Sequence, residues 1–117
     1  MFWYQLKLVV AEKKLDEFID SLRFLSSEIR KEKGCLDFSM YWDLEKKDAY
    51  CVLGEWKTHR TMETHFKRGK FSVLIGAARV LGEEFEMSVS ETFEKGSYQF
   101  AQEKVSLHRG RAKSKKT

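Results

Sequence analysis

The chain has 117 residues, of which 42% are hydrophobic and 34% charged, and its formal net charge is +4. That length suits one globular domain, and two isolated cysteines, Cys35 and Cys51, exclude a disulfide scaffold and fit a reducing compartment. The basic excess is local: Lys104, Arg109, Arg111, Lys113, Lys115 and Lys116 fall in 104–117 without an acid, so 1–103 holds 16 bases against 18 acids.

Residues 2–10 alternate. Phe2, Tyr4, Leu6, Leu8 and Val10 share one face, and Trp3, Gln5, Lys7 and Val9 the other. This is an aromatic-rich strand. From Glu12 to Lys33 the period changes: Leu15, Phe18, Ile19, Leu22, Leu25 and Ile29 fall three and four apart, which predicts a long helix with one apolar stripe. Gly34 stands where a C-terminal cap belongs. Leu36, Phe38, Met40, Trp42 and Leu44 then alternate with Cys35, Asp37, Ser39, Tyr41 and Asp43, a half-buried strand. Glu45 to Asp48 is a fully charged turn, and Ala49 to Trp56 is the returning strand of a hairpin.

Thr58 suits the N-cap of a helix from His59 to Arg68, although no Glu stands at its third position. Gly69 interrupts. Phe71, Leu74, Ile75, Ala78 and Leu81 predict a second helical run, closed by Gly82. Phe85, Met87, Val89, Glu91 and Phe93 alternate with polar residues and give a last strand. Residues 1–96 thus form the domain, and 97–117 read as a basic, flexible tail.

Strand, helix, strand, strand, helix pair, strand is the split β-α-β order of the ferredoxin-like α+β fold, a four-stranded antiparallel sheet with its helices on one face. The other face carries bulky side chains and is left without cover. A homodimer joined through that sheet face is therefore expected. No apolar run is long enough to span a membrane, and no signal peptide precedes the first strand, so no membrane partner and a cytoplasmic location are expected. Nucleic acid is not an expected partner either; only the tail offers charge for it, and such tails are commonly solvated.

The chemical content concentrates at one corner. Leu53-Gly54-Glu55-Trp56-Lys57-Thr58 ends a strand in an indole, and the next helix carries His65 beside Phe66. A flat aromatic and a titratable imidazole in neighbouring elements can serve one cavity. The plain structural alternative makes Trp56 a core aromatic and His65 a helix-flank residue, with Met40 and Met62 as packing groups and His59 solvated. Three scattered histidines and two scattered cysteines form no metal motif, and no glycine-rich phosphate loop is present.

Gly34 before the second strand, Glu55-Trp56-Lys57, His65-Phe66 and Phe71 together resemble the antibiotic biosynthesis monooxygenase family, within the dimeric α/β-barrel proteins. The resemblance spans roughly residues 2–95. It implies sheet-mediated dimers with a pocket between sheet and helices in each subunit. It also implies several activities: oxidation of phenols or quinols by oxygen without metal or flavin, haem degradation, isomerisation, or ligand binding alone. For the oxygenase, no cofactor is expected. His65 would be the base and Trp56 the platform for a small aromatic ligand. Tyr4, Gln5, Tyr41 and Tyr50 would offer hydrogen bonds to substrate oxygens, with Glu55 and Arg60 at the rim. Haem degradation fits less well, because Phe71 to Leu81 contains no histidine and Gln5 stands where such relatives place asparagine. The alternative is a non-catalytic dimer that binds a small molecule.

Overall fold

The computed structural model describes residues 1–106. The elements are β1 (Phe2–Val9), α1 (Glu12–Ile29), β2 (Cys35–Trp42), β3 (Ala49–Trp56), α2 (His59–Phe66), α3 (Gly69–Leu81) and β4 (Glu83–Glu91). A further helix, α4, covers residues 98–106, inside the segment read from sequence as a tail. Most of the tail's cations, from Arg109 onward, lie outside the described residues. The strands form one antiparallel sheet in the order β2-β3-β1-β4, the ferredoxin-like arrangement that the sequence predicts. Among the described residues no helix is long and apolar enough to cross a membrane.

The alternation in β1 decides which face is buried. Tyr4, Leu6 and Leu8 are closed off from solvent, and the register aligns Tyr4 with Gly54 and Leu6 with Val52. Phe38 follows beside Gly54. The stripe Phe18, Leu22, Leu25 and Ile29 on α1 and Leu74, Ala78 and Leu81 on α3 cover that face. Each fully buried side chain of this size contributes about 1.5–3 kcal/mol through apolar burial.

The opposite face is open. Trp3, Leu53 and Tyr41 supply its bulk, as the alternation predicts, but Gln5, Ser39, Ser88 and Ser90 lie among them. Its charges are Lys7 against Asp37, Glu55 and Glu86, an acidic excess.

Several boundaries fall short of the periodicity: α2 ends at Phe66 and β4 at Glu91, and the ends of α1 and β2 have visible local causes. α1 ends at Ile29, not Lys33, because the chain turns through 30–34 and Gly34 takes φ +85°. A side chain at Gly34 would run into Thr61, so the turn is pressed against α2. β2 ends at Trp42 because the Asp43 carboxylate accepts the amides of Glu45 and Lys46, at 2.8 and 3.2 Å, and folds the turn early. Those two bonds also hold the Asp43 carboxyl below its usual range. At the start of α2 the capping box does form. Thr61 takes the role expected of Glu, accepting the Thr58 amide at 3.3 Å while Thr58 accepts the Thr61 amide at 3.1 Å.

Candidate functional site

Four segments meet at one end of the helix-covered face. β1 supplies Tyr4 from the sheet floor, and β3 supplies Trp56 from its last position. α2 carries His65 three residues after Met62, and both side chains are buried on the inner side of that helix. The turn between α1 and β2 contributes Glu32. The glycine at 54 leaves room on the sheet for the rings, since a methyl group there would lie 3.0 Å from Tyr4 and 3.2 Å from the Trp56 nitrogen.

His65 is held on both sides. Its Nε2 lies 2.8 Å from the Tyr4 hydroxyl, and its Nδ1 lies 3.1 and 3.2 Å from the two Glu32 carboxylate oxygens. A carboxylate only accepts, so Nδ1 carries the proton and donates to Glu32. Nε2 of the neutral ring then accepts from the Tyr4 O–H. The imidazole stacks on the Trp56 indole with ring centres 4.4 Å apart and lies nearly parallel to Tyr4 at 5.5 Å. Phe71 closes the cluster edge-on at 5.4 Å, and Phe66 packs on Phe71 at 4.8 Å. Tyr4, Trp56 and His65 have almost no contact with solvent.

Burial sets the proton affinities. It pushes His65 below the ordinary histidine range, and the hydrogen bond and charge of Glu32 pull only partly against it. Burial, reinforced by Cys35 and Glu32, pushes the Tyr4 phenol far up, so it stays protonated. Half-buried Cys35 is raised to about 11 by the same desolvation and by Glu32; its thiol donates weakly to the Asp37 carbonyl at 3.6 Å. One polar atom of the cluster is orphaned: the buried Trp56 Nε1–H has no acceptor among the described residues.

Beyond Glu32 the surface opens into a cleft of about 180 Å³, lined by Glu32, Arg60, Thr61, Thr64, His65 and Arg68. Arg68 Nε approaches Glu32 at 3.7 Å. The cleft therefore reaches His65 from its Nδ1 side, under a cationic mouth.

Of the residues singled out in the sequence, the fold brings Tyr4, Trp56 and His65 together and sets Arg60 at this cleft. Gln5 follows Tyr4 by one position and so faces the open side of the sheet, as does Tyr41. Tyr50 pairs with Leu8 at the far end of the sheet and lines a separate cleft of about 350 Å³ with Trp42 and Lys7. Glu55 lies on the open face and meets Lys95 at 3.4 Å. Sequence reasoning misses Glu32. Its signal is its phase, three residues after Ile29, the last residue of the α1 stripe. Among the described residues no three His, Cys, Asp or Glu side chains group as metal ligands would.

Comparison with known proteins agrees with this architecture. The family model for antibiotic biosynthesis monooxygenases matches residues 1–76. No curated protein matches the chain. Among solved structures, a Deinococcus radiodurans protein provisionally described as an antibiotic biosynthesis monooxygenase superposes with TM-score 0.75 at 19% identity, over 83% of this chain and 97% of its own. A conserved Methanosarcina mazei protein gives 0.72 at 25%, over 78% and 91%. A point mutant of SnoaB, a cofactor-independent oxygenase from Streptomyces nogalater, gives 0.70 at 14%, over 80% and 94%. The structural likenesses show a shared fold, and the family model, which covers well over half of the sequence, goes further: this chain belongs to the antibiotic biosynthesis monooxygenase family.

Proposed function

We propose that the protein is a cofactor-independent monooxygenase acting on a phenol or quinol, with His65 as proton acceptor and Trp56 as aromatic platform. The observation that carries this reading is the buried Tyr4–His65–Glu32 chain stacked on Trp56. SnoaB, described as a cofactor-independent oxygenase, supports it through family and fold.

The chemistry follows from the hydrogen bonds. Tyr4 and His65 are closed off from solvent, so the cluster opens to admit the phenol, which gives its proton to the Tyr4 oxygen as the Tyr4 proton passes to His65 Nε2. The imidazolium so formed keeps its Nδ1–H on Glu32, whose charge stabilises it inside a dry site. The phenolate then passes an electron to oxygen. A carbon–oxygen bond forms at a ring C–H, and loss of water leaves a carbonyl, so one oxygen atom stays in the quinone and the other departs as water. Both oxygen atoms are reduced at the substrate's expense, without an external reductant. The orphaned Trp56 N–H is a donor for an oxygen of the bound molecule, and Arg60 is a charged group at the neighbouring cleft. Two copies joined through the open sheet face complete the reading.

A second reading rests on a specific observation: both His65 nitrogens already have partners within the chain, which a purely structural polar core also needs. On that view the protein binds a small aromatic molecule without turning it over. Oxygen uptake with hydroquinones and polycyclic phenols, metal chelated, separates the two. Uptake above the autoxidation blank, lost in His65→Ala, is the expected result. No uptake from a folded protein that binds the same compounds would establish the binder.

A further inference from the structure

We infer that the cleft between the Gly34 turn and α2 is a binding site for a small oxyanion, a free anion or the carboxylate of an organic ligand, held by Arg60 and Arg68. The site lies on the Nδ1 side of His65 and goes beyond the oxygenase reading, on which it does not depend.

Three cations line this cleft. Arg60, Thr64 and Arg68 stand four residues apart and fall on one line along α2 and the turn that follows it, where the Arg68 amide donates to the His65 carbonyl at 3.0 Å. The two arginines are about 12 Å apart by helical rise, so they bracket the threonine hydroxyl. Lys33 lines the same cleft from the turn before β2. That turn is pressed onto α2, since a side chain at Gly34 would run into Thr61.

These cations lack counter-charge. Among the described residues neither Arg60 nor Lys33 makes an ion pair. Glu32 is the single carboxylate lining the cleft, and both its oxygens are engaged by His65. Arg68 meets it through Nε at 3.7 Å, beyond the length of a charge-assisted hydrogen bond. A generally basic surface does not explain the cluster, because 1–103 holds more acids than bases. Like charges gathered round an open cleft repel one another. A bound oxyanion supplies the missing charge, and a guanidinium fork fits two oxygens of a carboxylate, phosphate or sulfate.

Size and placement narrow the ligand. A cleft of about 180 Å³ holds roughly six waters at about 30 Å³ each. That is room for an oxyanion group with its remaining hydration, and too little for a polycyclic ring. Glu32 joins the site to the buried cluster, because it lies against Arg68 on one side and His65 on the other. An anion that draws Arg68 away leaves the Glu32 charge to the imidazole alone, so occupancy of the cleft is felt at His65.

The test uses the full chain. Isothermal titration calorimetry with sodium sulfate, at ionic strength held constant with chloride, is expected to show one saturable site per chain. Arg60→Gln/Arg68→Gln should weaken it by roughly tenfold or more, as loss of a hydrogen bond to a charged group does. Arg60→Gln alone removes no ion pair and should also weaken it, so a folding defect caused at Arg68 does not decide the result. Lys13→Gln, an exposed cation on α1, should leave the affinity unchanged. The ring-nitrogen NMR signals of His65 should move as sulfate saturates the parent. No saturable binding, full affinity in both arginine variants, an equal loss in Lys13→Gln, or unmoved His65 signals overturns the inference. Competition then tells the source, and either answer supports the site. Sulfate displaced by benzoate identifies an organic carboxylate, and sulfate displaced by inorganic phosphate alone identifies a free anion. Oxygen uptake is measured separately: sulfate binding without uptake overturns the oxygenase reading only, and uptake without sulfate binding overturns the anion site only.

Discussion

A histidine buried between a phenol and a carboxylate must remain neutral for its hydrogen bonds to run as described. Because burial lowers its proton affinity in the folded state, the unfolded chain binds the proton more readily. Stability then falls as pH drops below the unfolded value of about 6.5, by up to about 1.4 kcal/mol per pH unit until the folded site titrates. Denaturant midpoints at pH 7.5 and 5.5 should show this loss, and His65→Gln should flatten it; a parent no less stable at pH 5.5 contradicts the assignment. Tyr4→Phe removes the donor to Nε2 and strands a buried acceptor, at an expected cost of about 1–3 kcal/mol. A variant as stable as the parent would show that the Tyr4–His65 bond contributes nothing. The sequence singles out His65 as the imidazole beside Phe66 on the helix after Trp56, and its place three residues after Met62 is what turns it to the inner side of α2. Glu32 escapes because a charge just past an apolar stripe reads as the end of the stripe, and only the turn at Gly34 brings the carboxylate back onto the imidazole. Gln5 and Tyr41 group with Tyr4 by residue type alone, whereas the two-residue period of a strand sends Gln5 to the other side.

Elements follow the same rule: their periodicity is legible, and their ends are settled by single side chains. The stripe from Phe18 to Ile29 marks α1, but a glycine in the left-handed region ends it. Gly34→Ala should cost about 1–2 kcal/mol for the backbone conformation alone, and more because the methyl displaces Thr61. An unfolding midpoint within error of the parent would mean that the turn relaxes freely. Thr58→Ala opens the capping box and should cost about 1 kcal/mol. The absence of Glu at the third position makes that cap look incomplete in the sequence, since a threonine substituting for Glu is visible only once its hydroxyl is placed.

At the scale of the whole molecule, the order of elements suffices for the ferredoxin-like sheet, because few topologies accommodate that sequence of strands and helices. The balance of the open face is less legible. Its aromatics stand out, whereas the acids among them emerge only from the register. If two such faces pair, added salt should tighten the dimer by screening Asp37, Glu55 and Glu86. A dissociation constant that rises steeply between 50 and 500 mM salt (an experimental range of about one decade) would instead indicate attraction between opposite charges as the main contribution.

The central position of β1 bears on how the chain comes to be folded. Leu6 pairs with Val52 on one side and Met87 on the other, so the strand made earliest waits for both neighbours. Until β4 has been made, an apolar ribbon containing Phe2, Trp3, Tyr4, Leu6 and Leu8 has one edge unsatisfied. Contacts so distant along the chain slow folding relative to a helical bundle of the same size and leave the nascent protein prone to self-association. A ribosome-bound nascent chain stalled before β4 should engage a holdase chaperone and release it once Glu91 has cleared the exit tunnel.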